Sequence, residues 1–159
     1  MSVLAERAGV RVPAVVVAGR SADGDCLLVT RGPTGTSLAD LAPEDAHDAL
    51  LDQAWQLMTA LHDAGIAHRR IDGTRLVLDQ DGLLTLMDFA QARAAAEPRD
   101  LMFDRAQLMA ATALVVGADR AVASAQRVLG DAGLVALLPF LQPAVLDRAT
   151  RARISAGEW

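Results

Sequence analysis

The sequence predicts an α+β fold, a mostly helical body carrying two short β-hairpins, and three observations predict it. Two β-branched runs flank an Asp-Gly pair near the N-terminus, a second pair of apolar runs flanks Gln80-Asp81-Gly82, and apolar residues at helical spacing dominate the remainder. With 159 residues, 52% of them hydrophobic and 22% charged, the chain is long and apolar enough to bury one core, so a single domain over residues 1–159 is expected.

A short helix is expected over residues 3–8. "AVVVAG" (14–19) and "DCLLVTR" (25–31) enclose "RSADGD", whose Asp-Gly pair suits a tight turn, and they read as the first hairpin. "GPTGTS" (32–37) is rich in chain breakers and reads as a loop. From Pro43 to Asp63 the period changes. Leu50, Ala54, Leu57, Met58 and Leu61 recur at helical spacing, Pro43, Glu44 and Asp45 suit a first turn, and Gly65 suits the residue just past the end. On that helix Trp55 is expected to pack, whereas His47 and His62 lack metal-ligand companions and are expected to be exposed. "RLVLD" and "LLTLMDF" form the second hairpin around "QDG". Helices follow over 104–116, ending at Gly117, then 118–129, stopped at Gly130, then 131–141 and 143–153. Val115, Val116, Leu134, Leu137, Leu138 and Leu141 are either core or, where exposed together, a docking face.

Composition removes several function classes. A net charge of −5 argues against a nucleic-acid partner, since phosphate neutralisation needs a basic face. Cys26 is the only cysteine, which excludes an intramolecular disulfide and a Cys-rich zinc site and fits a reducing compartment. No apolar run reaches the ~18 residues of a bilayer span, and the N-terminus lacks a signal-peptide core, so a cytoplasmic domain is expected. The chain contains no lysine, asparagine or tyrosine, so all 15 basic residues are arginine. Without Gly-Lys-Ser/Thr, "GPTGTS" is not a phosphate-binding P-loop.

Several segments occur in a familiar order: "LLVTRGPTGTSLADL", a helix ending "LHDAGIAH", then "HRR", "LVLD", "LMDFA" and "DRAQLMAATALVVG". Over residues 9–151 this order resembles a protein-kinase-like fold, the large lobe plus the last strands of the small lobe. It is similar to the degenerate kinase-like domains of actinobacterial membrane proteins of the lysylphosphatidylglycerol synthase/flippase-like group. The resemblance implies a small-lobe remnant (1–31), a hinge-like loop (32–37) and a helical large lobe (38–159). It implies ATP and Mg²⁺ as ligands, with Asp88 holding the metal and the backbone at Arg31 and Gly32 meeting the adenine.

Where an active kinase of this pattern has its catalytic aspartate and metal-binding asparagine, this chain has Arg70 and Arg75, after His68 and Arg69. An arginine there replaces a proton acceptor with a fixed cation. The phosphate-anchoring lysine is missing from the whole chain. His68 and Asp104 are implied as scaffold, Asp104 bonding the loop backbone, although Asp104 also reads as a plain helix N-cap. Arg69, Arg70 and Arg75 form either an anion-binding cluster or a solvated loop face. Two functional readings follow from the resemblance. One is a pseudokinase-like regulatory module that binds a protein partner or the membrane part of its own longer chain, with at most weak nucleotide binding. The other is an active phosphotransferase using Asp72 as base and Asp88 as metal ligand.

Overall fold

The structure, a computed structural model, describes residues 1–156; Trp159 lies outside the described residues. The fold is α+β. Helix α1 (Ser2–Arg7) leads into strands β1 (Ala14–Arg20) and β2 (Cys26–Arg31), which pair antiparallel from Ala14↔Arg31 to Arg20↔Cys26. Both strands are exposed along their whole length, and Val16 and Leu28 are more than half accessible. This ribbon stands clear of the core.

The second hairpin, β5 (Leu76–Asp79) with β6 (Leu84–Leu86), gains a third strand. β3 (Gly35–Ser37) pairs antiparallel with β5, Thr36 opposite Leu78, giving the order β3-β5-β6. The expected loop over 32–37 is therefore half strand. Pairing with a segment forty residues away stabilises it, which local breaker chemistry cannot reveal. Gly35 makes the pairing possible, because a Cβ there would lie 1.9 Å from the Leu78 carbonyl oxygen.

Helix α2 (Asp48–Asp63) starts five residues later than expected from Pro43. His47 is its N-cap: the Nδ1 atom accepts from the Leu50 amide at 3.1 Å, satisfying one of the free first-turn donors. Its inner face buries Leu50, Leu51, Ala54, Trp55, Met58 and Leu61, and Trp55 is the largest fully enclosed side chain. His62 is buried too, against the expectation of an exposed histidine. It follows Met58 by four residues and so shares the inner face.

Two-residue strands β4 (Ile66–Ala67) and β7 (Arg93–Ala94) pair around the segment between them. Helix α3 (Pro98–Val116) begins six residues before the expected 104, with Pro98 in its first turn, where a missing N–H costs nothing. Asp104 is thus inside the helix and is no N-cap. Helix α4 (Ala118–Leu137) bends at Gly130, whose φ of 68° and ψ of 175° are non-helical, so the expected stop survives as a kink. Helix α5 (Arg148–Ser155) is shorter than the expected 143–153, because Asp147 caps it by accepting from the Ala149 and Thr150 amides.

Helices α3 and α4 pack on α2, and Arg127 reaches Asp52 on α2 with Nη2 2.7 Å from Oδ1. By length and composition alone Ala118–Phe140 is apolar enough to cross a bilayer, which whole-run counting did not anticipate. Its first half is nonetheless docked by ion pairs, Arg120 to Asp48 as well as Arg127 to Asp52. Of the apolar residues left open between core and surface, Leu137 and Val115 are buried, while Leu138 and Leu141 are exposed.

Gly35→Ala is expected to push β3 off β5 and to destabilise by about 1–3 kcal/mol, read as a lower urea midpoint at unchanged slope. An unchanged midpoint would mean that β3 adds nothing.

Candidate functional site

Helix α3 organises the site through one buried carboxylate. Asp104 is fully enclosed; its Oδ2 accepts from the His68 amide at 2.6 Å and its Oδ1 from the Arg69 amide at 2.7 Å. The His62 Nε2, on α2, lies 3.3 Å from the same Oδ2. One turn along α3, Gln107 accepts from the Ile71 amide at 2.8 Å and donates to the Val145 carbonyl at 2.7 Å. The loop 68–71 is thereby pinned by its backbone, whatever its side chains are. Hydrogen bonds to a charged group contribute about 1.5–3 kcal/mol each, and an unpaired buried carboxylate would cost more.

That pinning holds a strained conformation. Arg69 has φ of 67° and Asp88 φ of 61°, left-handed values that cost a non-glycine residue about 1–3 kcal/mol. The two Asp104 bonds, to the His68 and Arg69 amides, offset the first. The second sits in a turn where the Asp88 Oδ1 accepts from the Ala90 amide at 3.3 Å.

His68 joins the loop to that turn. Its ring is buried, the Nε2–H donates to the Met87 carbonyl at 2.9 Å, and Phe89 meets it edge-on at 5.0 Å. Burial pulls the His68 pKa below its ordinary value of 6.5, against the opposing Met87 bond and the Asp104 charge. The imidazole is consequently neutral at pH 7, fixed in the tautomer that donates from Nε2.

Arg75 lies between the two acidic candidates. Its Nη2 is 3.4 Å from the Asp88 Oδ2, and its Nε is 3.8 Å from the Asp72 Oδ2. Asp72 also accepts from the Thr74 amide at 2.8 Å and from the Thr74 hydroxyl, which leaves little of it free. Arg69 and Arg70 are exposed, and neither side chain pairs with a carboxylate among the described residues. The three arginines therefore divide into two solvated cations and one placed between two acids at ion-pair distance.

Gly32 approaches the same turn from the other side, close enough that a Cβ would lie 2.9 Å from the Met87 Cε. Arg31 and Gly32 line a cleft with Glu6, Arg11 and Thr85, to which the loop 68–75 contributes nothing. Pro33, next along, has no N–H to offer a ligand. No group of three His, Cys, Asp or Glu is placed to hold a metal ion among the described residues. Sequence reasoning missed His62, Gln107 and Thr74. Of these only His62 carried a signal, its place on the buried face of α2.

No family model matches the chain. A protein of Corynebacterium efficiens named serine/threonine-protein kinases drp72 is 31% identical to it over 77 residues. That match spans 45% of this chain and 15% of the Corynebacterium protein. Part of the chain is similar to a protein named as a kinase.

Asp104→Ala is expected to cost about 3 kcal/mol or more by urea unfolding, because two backbone donors and His62 lose their acceptor together. A loss below ~0.5 kcal/mol would contradict the pinning. His68 makes a second expectation. Folding keeps it neutral, so unfolding takes up a proton below pH 6.5. The stability it contributes is complete above 6.5 and declines as pH falls toward the folded-state value. The advantage of the wild type over His68→Gln should shrink between about pH 7.5 and about 5.5, and a constant difference would overturn this.

Proposed function

We propose that the chain is a catalytically degenerate kinase-like domain, a cytoplasmic regulatory and interaction module belonging to a larger, membrane-associated protein. The observation that carries this reading is the position of Arg75, its guanidinium between Asp72 and Asp88. Phosphoryl transfer needs metal ions bridging the phosphates and a group that accepts or orients the nucleophile's proton. A divalent cation at Asp88 would have to displace a guanidinium that cannot lose its charge. The residues present therefore do not fit a bound Mg²⁺.

Asp72 fits the part of a base no better, with one oxygen on Thr74 and the other turned toward Arg75. Arg70 supplies a cation where a proton acceptor is needed, and the chain has no lysine to anchor phosphate. Losses of this kind cost about 10²-fold or more apiece in turnover. The scaffold bonds of Asp104 and His68 are kept, which supports a retained shape with a changed chemistry. The kinase name of the Corynebacterium protein supports the kinase-like part.

The β1–β2 ribbon supports the interaction part. A two-stranded hairpin alone is marginal in water, and this one carries Val15, Val16, Val17, Leu27, Leu28 and Val29 exposed, with charge only at the strand ends. A strand supplied by a protein partner would pair an open edge of this ribbon.

Thermal unfolding with ATP, measured with excess Mg²⁺ and again with a chelator, tests the proposal. The same midpoint in both, with no phosphate release, is expected. A Mg²⁺-dependent rise would show that Asp88 takes a metal despite Arg75, and phosphate release abolished by Asp72→Asn would favour the active phosphotransferase instead.

A further inference from the structure

Away from the loop and turn, a cleft of about 430 Å³ opens between α3, the start of α4 and residues 141–155. Ala106, Ala110 and Ala113 of α3 line it, together with Val122, Val145 and Ile154. The lining is mostly aliphatic, with no aromatic ring; Gln142 and Ser155 are its neutral polar side chains and Arg151 its one charged residue. The volume falls in the range of about 300–1,000 Å³ typical of sites that enclose small organic ligands.

The cleft is held open by polar bonds behind its walls. Gln107 donates to the Val145 carbonyl at 2.7 Å, which fixes the connecting segment to α3. Asp147 caps α5 through the Ala149 amide at 2.7 Å and the Thr150 amide at 3.0 Å, which fixes the helix that carries Arg151 and Ile154. The Arg151 Nη1 rests 3.4 Å from the Pro143 carbonyl, at the rim, and its exposed guanidinium pairs with no carboxylate among the described residues. In a chain of net charge −5, an unpaired cation over an aliphatic cavity is the feature that selects a ligand.

We propose that this cleft binds a free fatty acid, its alkyl chain against the apolar lining and its carboxylate on Arg151. An aliphatic lining without rings suits a flexible chain and offers nothing for a planar ligand to stack on. A single guanidinium matches one carboxylate in a two-pronged bond, whereas a phosphate dianion would leave charge unpaired at this rim. The proposal is independent of the reading of the Arg75 site.

Displacement of the fluorescent fatty acid cis-parinaric acid from the intact chain tests it, with dodecanoate, dodecanol and dodecylamine as competitors below their aggregation concentrations. Saturable binding at one site per chain is expected, with dodecanoate the strongest competitor and dodecylamine the weakest. Arg151→Gln should weaken dodecanoate about fivefold and leave dodecanol unchanged, since only the ionic contact is removed. Ala110→Trp should abolish probe binding by filling the cleft, and Ala113→Phe serves the same purpose if that variant does not fold. Absence of saturable binding by the wild type would overturn the proposal. So would equal competition by the acid and the amine, a wild-type response of Arg151→Gln to dodecanoate, or binding to anionic vesicles without binding of monomeric dodecanoate.

Discussion

A carboxylate with no exposure to water holds the loop 68–71 of this molecule in place. Asp104 receives the amides of His68 and Arg69, and the His62 ring closes on it from α2. Removing a charge of this kind from water is expensive, so it persists only where nearly every lone pair is used. Because α3 and α2 both contribute to the arrangement, the loop 68–71 cannot shift without disturbing the helical core. The left-handed backbone at Arg69 is the visible consequence of that constraint.

Two kinds of interaction separate at this site. The bonds that shape it run to backbone groups: Asp104 to the amides of 68 and 69, Gln107 to that of 71, His68 to the carbonyl of 87. Such bonds are indifferent to the side chains at positions 70 and 75, so those positions can change charge while the chain path is retained. On the proposed reading the side chains that would meet a ligand differ from those of a kinase, and the Arg75 guanidinium stands between the Asp72 and Asp88 carboxylates. Shape and chemistry have become separable here because they reside on different atoms.

What the sequence made legible follows the range of the forces involved. The spacing of Leu50, Ala54, Met58 and Leu61 was enough to place α2, and the same spacing, carried one step further, would have placed His62 inside. Both hairpins were readable because an Asp-Gly pair and its flanking apolar runs are local. β3 was not, since its partner Leu78 lies far along the chain. The start of α3 was misplaced because Pro98 breaks a helix interior but suits a first turn, and only the surrounding structure decides which applies. Asp88, Asp72 and Arg75 could each be singled out by residue type. Their meeting could not, because it depends on how the 73–75 turn swings the arginine back toward the hairpin end.

On this reading Arg75 is a built-in cation between Asp72 and Asp88. Anomalous scattering from crystals soaked with Mn²⁺ and ATP addresses it most directly. The account predicts no manganese peak within ligand distance of Asp88, with the guanidinium still in contact with both acids. A manganese ion seated between the two carboxylates, with Arg75 swung out to solvent, would contradict it.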